Sequence, residues 1–417
     1  MSGAEVITMG CRLNLAESSA LEQQLSDNAG DLIIVNSCAV TNEAVRQTRQ
    51  AIRRARKRRP DARIIVTGCA AQVDPESFAA MPEVSTVLGN AEKQRPDLFL
   101  EKSRNSNILV SDIMTIEETA PHLVTAFSGK TRAFVEIQNG CDHRCTFCII
   151  PFGRGNSRSV PAGSVVEHIK KLVDEGFQEV VLTGVDVTSY GHDLPGKPNL
   201  GQLVERIMRH VPGLPRLRLS SVDGVEIDER LFDLLTSEKR VMPHVHMSLQ
   251  SGDDMILKRM KRRHSRALAV DLVARMQAAR PEIAIGADII AGFPTEDEAM
   301  FENSLKLIDD CNIVHGHIFP YSPKTGTPAA KVPQVTSKAI KERALMLRQK
   351  VAEKNSTWLG SLIGSTQNVA IENGGMGGHA ENFAYVVMDR KMPEGTVVPA
   401  RINKAENGKL QAEVIAQ

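Results

Sequence analysis

Three things are missing from this chain of 417 residues. It has no charge excess: 51 Lys and Arg stand against 50 Asp and Glu, a formal +1, so any nucleic-acid face must come from local clustering. No stretch approaches the roughly 18 apolar residues of a membrane span, and no basic segment leads into an apolar run near the start, which predicts a soluble cytoplasmic protein without membrane partners. Nor is there an even set of cysteines: seven in a chain of this size argue against a secreted disulfide framework and for thiols in metal or redox chemistry. With 42% hydrophobic residues, the chain is long enough for two or three domains, each with its own core.

The cysteines divide as three, three and one. Cys11, Cys38 and Cys69 each close a β-branched-rich run, "EVITMGC", "DLIIVNSC" and "ARIIVTGC", and helical patterns over roughly 13–28 and 41–58 lie between them. Such alternation predicts a βαβαβ unit with parallel, neighbouring strands. Ligands of these sheets sit beyond the carboxyl ends of the strands, so thiols separated by 27 and 31 residues would converge on one shared site. A lone free cysteine is usually a small buried residue, which is the reading for Cys311.

The second trio lies in "NGCDHRCTFCIIP", residues 139–151, where Cys141, Cys145 and Cys148 have no fourth thiol nearby. It follows the strand-like "RAFVEIQNG" and begins a series of apolar runs near 133–139, 179–185, 216–222, 244–250, 283–293 and 314–322. Helical patterns such as "SVVEHIKKLVDEG" and "FENSLKLIDD" intervene. Six βα repeats predict an open, partial parallel barrel with the cysteine loop at the carboxyl end of its first strand. A structural zinc site closes with four ligands, and His143, inside the same tight loop, is a poor fourth. An iron–sulfur cubane takes a thiolate at each iron, so three cysteines leave one iron open to an outside ligand.

CxxxCxxC spacing, with Phe147 just before the last cysteine, closely resembles the signature of the radical S-adenosylmethionine superfamily. Together with the upstream trio it resembles the methylthiotransferases, through "MGCRLN", "VNSCAVTNEA" and "VTGCAAQ", then "GCDHRCTFCIIP", "RGNSRS", "LTGVDVTSYG", "SLQSG", "DIIAGFPTE" and "YSPKTGTPA", over about residues 5–330. Asp186 departs from the family, which usually has an amide there. The resemblance implies two 4Fe-4S clusters: one on Cys141, Cys145 and Cys148, where S-adenosyl-L-methionine is bound and cleaved, and one on Cys11, Cys38 and Cys69 that carries the sulfur to be inserted. Phe147, Thr183, Gly184, Ser221 and Gln250 are the implied cofactor contacts. Acid–base residues are of little use at an unactivated C–H bond, so the cofactors must carry the step. Implied partners are a reduced electron donor such as a flavodoxin and a sulfur donor, with the enzyme itself expected to be a monomer.

Residues 41–63, "TNEAVRQTRQAIRRARKRRPDAR", hold nine Lys or Arg against two acidic residues. At helical spacing Ala44, Ala51, Ile52 and Ala55 face a core while Arg46, Arg49, Arg53, Arg56, Lys57 and Arg59 fan outward, beside the Cys38 strand end. That density predicts a phosphate track for RNA, with Arg53, Arg56, Lys57 and Arg59 as its contacts and Arg154 and Arg158 as further substrate ligands. From 360 onward, short alternating strands between Gly/Asn-rich turns predict a small β-barrel, where the family carries an RNA-binding TRAM domain; with five Lys or Arg against six acidic residues, its role reads as positional. His244, His246, His315 and His317 alternate along strands without an assigned role.

The expected organisation is α/β: a parallel βαβ domain over 1–125, a partial (β/α)6 barrel over 126–335, a connecting helix over 336–359 and a TRAM-like barrel over 360–417. Within the family, "GCRLN" at 10–14 most resembles the branch that adds a methylthio group to carbon 2 of threonylcarbamoyladenosine in the tRNA anticodon stem-loop. Isopentenyladenosine in tRNA or a ribosomal-protein aspartate are the alternative substrates. A noncatalytic, metal-stabilised RNA-binding protein is the alternative of another class.

Overall fold

The structure, a computed structural model, describes residues 4–25, 30–101, 106–117 and 131–415. The junction expected near 125 and the last residues of the helix expected to reach 28 lie outside the described residues. No described helix is long and apolar enough to cross a membrane.

Five parallel strands in sequential order form the first sheet: β1 (Glu5–Thr8), β2 (Leu32–Ser37), β3 (Arg63–Gly68), β4 (Thr86–Leu88) and β5 (Ile108–Leu109). The last two add to the expected βαβαβ unit, and at three and two residues they are too short to show a period. β2 is buried at every position and β3 at all but its first, as in a parallel sheet covered on both faces. Helices α1 (Arg12–Leu25), α2 (Asn42–Arg58) and α3 (Cys69–Val73) leave the carboxyl ends of β1, β2 and β3. Thr41 caps α2 by accepting from the Ala44 amide at 3.0 Å, and Arg56, Lys57 and Arg58 in its last turn complement the helix dipole.

Next come six parallel strands, β6 (Arg132–Asn139), β8 (Glu179–Gly184), β9 (Arg216–Leu219), β10 (His244–Gln250), β11 (Ala284–Ala291) and β12 (Ile313–Pro320), with β7 (Arg158–Ser159) antiparallel at the edge of β6. Bridges from Leu217 to Val241 and from Val222 to Met247 join the two halves. Among the described residues no ladder joins β12 to β6, and α1 of the first domain packs against β6 and β8. The barrel is therefore partial, as expected.

Alternation along these strands sends Val135, Val180, Leu217, Val245 and Ile285 to the helix layer and its large apolar core. The opposite parity sends charge into the lumen. Glu179 accepts from Arg132 at 2.6 Å and from Arg218 at 3.1 Å, and pairs with Arg216 at 3.0 Å. A helix over Ser337–Ser361 packs on β12 and leads to a closed barrel of β13 (Thr366–Glu372), β14 (Gly377–His379), β15 (Tyr385–Met388), β16 (Val397–Glu406) and β17 (Lys409–Val414). This barrel caps the amino-terminal end of the lumen. Thr131 donates to the Ile371 carbonyl at 2.6 Å, Arg218 donates to the Glu381 carbonyl at 3.2 Å, and Phe383 stacks on His244 with centroids 4.7 Å apart.

Candidate active site between two cysteine trios

Cys11, Cys38 and Cys69 stand just beyond the ends of β1, β2 and β3. Two glycines permit their approach. A Cβ on Gly10 (φ +91°) would lie 2.7 Å from the Cys38 Sγ, and one on Gly68 (φ +93°) 2.4 Å from the Ser37 carbonyl oxygen, so both positions need the bare left-handed backbone. Asn14 ties the strand ends together by donating to the carbonyls of Met9 at 2.8 Å and Ser37 at 3.0 Å. Cys38 and Cys69 are buried, and Cys11 opens to the surface although enough protein surrounds it to push its thiol up. Burial pushes Cys38 up to about 11.

A buried charge network stands behind this trio. Arg154 Nε lies 3.1 Å from the Cys69 Sγ, and its guanidinium also reaches Asn14 and Glu17. Glu17 accepts from Lys93 Nζ at 2.6 Å, and Lys93 donates to Asn90 Oδ1 at 2.7 Å. Two cations share one carboxylate, so surplus positive charge sits beside Cys69, which suits an anionic, thiolate-ligated centre. Arg154 comes from the other domain: it ends the short helix Ile150–Arg154 directly after the Cys148 loop, and a Cβ on Gly153 would lie only 3.2 Å from the Cys69 Cβ.

In the second trio the Cys141 amide donates to the Gly155 carbonyl and the Cys148 amide to the Cys145 carbonyl, at 3.0 and 3.1 Å. All three thiols are half-buried. Burial, then the Asp186 carboxylate 3.7 Å away, pushes the Cys141 thiol up, and burial pushes Cys148 to about 11. The positive charge of a bound inorganic core is what would deprotonate them. Arg262 lies 3.9 Å from the Cys145 Sγ and is fixed by Asp223 Oδ2 and the Ser248 carbonyl, both at 2.8 Å. A tetrahedral zinc with Zn–S near 2.3 Å would bring its sulfurs within about 4 Å of one another. Neither trio is so tight: among the described residues, the groups with potential ligand atoms mutually within 4.8 Å are His246–Asp288–His317 and His143–Asp186–Glu226. Neither set of thiols is drawn together around a single ion.

Where the first domain meets the barrel lies a cavity of about 210 Å³. Val40 and Thr41, just after Cys38, form one wall; Phe147, between Cys145 and Cys148, forms another; Gln250, Asp288, Phe319 and Tyr321 complete it from the strand ends. Asn42 fastens the seam by donating from its backbone to Ser322 Oγ at 3.1 Å and accepting from Lys324 Nζ at 3.0 Å. Asp288 is held by His246 at 3.0 Å and His317 at 3.1 Å; burial opposes its charge, but the two histidines outweigh burial and hold the carboxyl down to about 2.

Of the sequence-predicted cofactor contacts, Phe147 and Gln250 line this cavity, Gln250 with a left-handed φ of 67°. Thr183 is buried, and Gly184 packs so closely on β6 that a Cβ would lie 2.5 Å from the Gln138 carbonyl. Ser221 is exposed; the inward parity of Arg216 and Arg218 falls on Ser220, whose buried hydroxyl has no hydrogen-bond partner among the described residues. Arg154 is 2% exposed and engaged by Glu17 and Cys69, while Arg158 donates to the carbonyls of Asn156 and Arg154, so neither stands on an open face. Cys311 is buried, as expected.

The basic helix forms, but its outward fan is narrower than expected. Arg53 and Lys57 are exposed, as is Arg54, which the pattern did not single out. Arg56 turns back to the carbonyls of Ala62 at 2.8 Å and Glu83 at 2.7 Å, and Arg59 pairs with Glu5 and Asp31. Glu17, Lys93, Arg262 and Asp288 were also missed, because each gains its meaning from partners distant in the chain. The alternating histidines at 244, 246, 315 and 317 were the one local signal of a polar lumen.

Residues 135–308 match the radical SAM superfamily, and residues 4–89 match the uncharacterized protein family UPF0004. A protein of Rickettsia prowazekii named threonylcarbamoyladenosine tRNA methylthiotransferase is 49% identical over 412 residues, covering 99% of this chain and 97% of that one. A protein of the same name from Chlamydia pneumoniae is 33% identical over 429 residues, covering 99% and 98%. Among solved structures, the radical S-adenosylmethionine methyltransferase TsrM from Kitasatospora setae, with cobalamin and a 4Fe-4S cluster bound, is similar in fold, with a TM-score of 0.57 at 15% identity over 79% of this chain and 77% of that chain. The radical SAM domain implies a 4Fe-4S cluster and S-adenosylmethionine, and the donor set of Cys141, Cys145 and Cys148 beside the cavity fits both.

Proposed function

The chain belongs to the radical S-adenosylmethionine tRNA methylthiotransferase family, and on that premise we propose that it inserts a methylthio group at carbon 2 of threonylcarbamoyladenosine in the tRNA anticodon stem-loop, using two 4Fe-4S clusters. The observation that carries this reading is the shared cavity, whose walls come from the residues after Cys38 and from the loop that holds Cys145 and Cys148. A space walled by residues next to both three-thiol sites suits a reaction in which hydrogen removal and sulfur delivery act on the same carbon. When bound, the clusters and S-adenosylmethionine supply the one-electron chemistry at an unactivated C–H bond and the sulfur.

The protein's own residues hold and enclose. Arg262 braces the Cys145 side and Arg154 the Cys69 side, and the Asn42–Ser322 and Asn42–Lys324 bonds keep the domains in register. Phe147, Phe319 and Tyr321 give the cavity aromatic walls suited to a planar base, and Gln250 gives it a polar edge. The exposed face of Arg53, Arg54 and Lys57 favours a tRNA substrate over a ribosomal-protein aspartate. In this reading the protein works in the cytoplasm, with a reduced flavodoxin-type electron donor and a separate sulfur donor. Mass spectrometry of tRNA nucleosides from a deletion strain tests the reading. Methylthio-threonylcarbamoyladenosine should vanish while its unthiolated precursor accumulates; its persistence, with loss of the ribosomal aspartate modification, would overturn the proposal.

A further inference from the structure

We propose that the exposed cationic face around the end of the helix Asp254–Met260 docks an acidic one-electron carrier protein and takes its electron toward the cluster held by Cys141, Cys145 and Cys148. This rests on the function proposed above and gives its electron donor a place on the molecule. Three segments meet at Thr146, the residue after Cys145. Its amide donates to the Met260 carbonyl at 3.1 Å, its hydroxyl donates to the Arg259 carbonyl at 2.8 Å, and its own carbonyl accepts from the Ala329 amide at 2.9 Å. Arg144, Lys258, Arg259, Lys261 and Lys331 are exposed, and each lies no more than two residues from that junction. None of the five makes an ion pair among the described residues: Arg144 donates to the Cys141 carbonyl and to Asn156, and Arg259 to Thr295, all of them neutral groups.

The acids on the same helix are occupied. Asp253 accepts from the amides of Met255 and Ile256, both at 3.0 Å, and Asp254 accepts from the Arg266 amide at 2.6 Å. The helix dipole accounts for Lys258 and Arg259 in the last turn, but not for Arg144, Lys261 and Lys331, which lie outside the helix. Met255, one turn back from Lys258, and Val332, next to Lys331, add exposed apolar surface. Uncompensated cations with apolar contacts among them suit a protein partner of opposite charge.

Position selects which partner. The inner side of the helix, Ile256 and Met260, packs in one apolar cluster with Ile290, Tyr321, Phe147 and Phe319, and those four line the cavity. The cations therefore stand on the outer side of the cavity wall, while the face proposed for tRNA lies on α2 in the other domain. What they adjoin is the cysteine loop. Thr146 is bonded covalently to Cys145, and Arg262, next to Lys261, brings its guanidinium to 3.9 Å from the Cys145 Sγ. From the surface to a cluster ligand the route is one hydrogen bond and one peptide link. One electron leaves the reduced carrier, which is oxidised by one, and reduces the cluster by one; no atom or proton is transferred.

The test uses the full-length, anaerobically reconstituted enzyme. It compares 5′-deoxyadenosine formation driven by flavodoxin and its reductase with that driven by dithionite, a small reductant that needs no docking face. With Lys258→Glu, Lys261→Glu and Lys331→Glu combined, the flavodoxin-driven rate below saturation should fall roughly tenfold or more, and the wild-type rate should fall as salt rises. Dithionite-driven cleavage, iron content and affinity for an anticodon stem-loop should match the wild type. An undiminished flavodoxin-driven rate overturns the assignment, as does a wild type that responds to dithionite and not to flavodoxin. Weakened stem-loop binding with flavodoxin-driven cleavage intact also overturns it and makes the face an RNA track. If the triple variant loses iron or dithionite-driven cleavage, the milder pair Lys258→Gln and Lys331→Gln decides by the same comparison of the two reductants. A wild type that cleaves S-adenosylmethionine with neither reductant would instead refute the proposed function.

Discussion

Cys141, Cys145 and Cys148 sit in one loop after one strand, whereas Cys11, Cys38 and Cys69 come from the ends of three strands and meet only when the sheet has formed. The loop trio needs little beyond its own turn: its amides bond within the loop and to Gly155, and Arg262 is its distant brace. The sheet trio depends on register, on two glycines with positive φ, and on a buried network of Arg154, Glu17, Lys93 and Asn90. One site is legible and locally robust, and the other is assembled and exposed to failure at a distance. Arg154 joins them, because the chain that leaves the loop trio carries the arginine that braces the sheet trio.

Removing that arginine is the strongest way to separate the two. In Arg154→Met, Glu17 keeps Lys93 but loses its second cation, and breaking a buried ionic network costs about 3–5 kcal/mol. Calorimetry should show a clear fall in Tm, and iron analysis should show loss confined to the amino-terminal cluster. Equal loss from both sites would mean that the two are a single cooperative unit.

Asp288 tests the space between them. Its carboxyl is held down to about 2 against an ordinary 3.8, so the stability it adds is complete above about pH 4 and is lost as pH falls through 2. That contribution is on the order of 2 kcal/mol. Denaturant unfolding of Asp288→Asn across this window should show a flatter acid limb than the wild type, with the iron content at neutral pH unchanged. An identical acid limb would show that His246 and His317 do not favour the ionised form.

The smallest expected effect lies on the outer face of the sheet domain. Changing Arg53, Arg54 and Lys57 to Gln should reduce the log–log salt slope of tRNA binding by roughly 0.7 to 0.9 for each phosphate that is no longer neutralised. Both clusters should be retained. An unchanged slope would leave this face as solvated charge.

How much of this could be read beforehand follows the same division. The loop trio, Phe147 and the strand-end cysteines are signals carried by a few adjacent residues, and the six-strand alternation gives the partial barrel. The brace could not be read, because Arg154 finds Cys69 and Glu17 at separations of 85 and 137 residues, while its own neighbourhood suggested a surface beside the cluster. Helical spacing placed the arginines of α2 on a face but could not tell that Arg56 would find carbonyls and Arg59 carboxylates across the fold. The expected contact fell on Ser221 while the inward position is Ser220, because parity becomes visible only once Arg216 and Arg218 are known to meet Glu179.

The division of labour between the trios is tested most directly by one crossed measurement. Cys38→Ala and Cys145→Ala are reconstituted anaerobically, then assayed for iron, 5′-deoxyadenosine and the methylthiolated nucleoside. Each variant should hold one cubane where the wild type holds two. Cys38→Ala should still form 5′-deoxyadenosine but no methylthio product, and Cys145→Ala should form neither. A Cys145→Ala enzyme that still releases 5′-deoxyadenosine, or a Cys38→Ala enzyme that still methylthiolates tRNA, would contradict it.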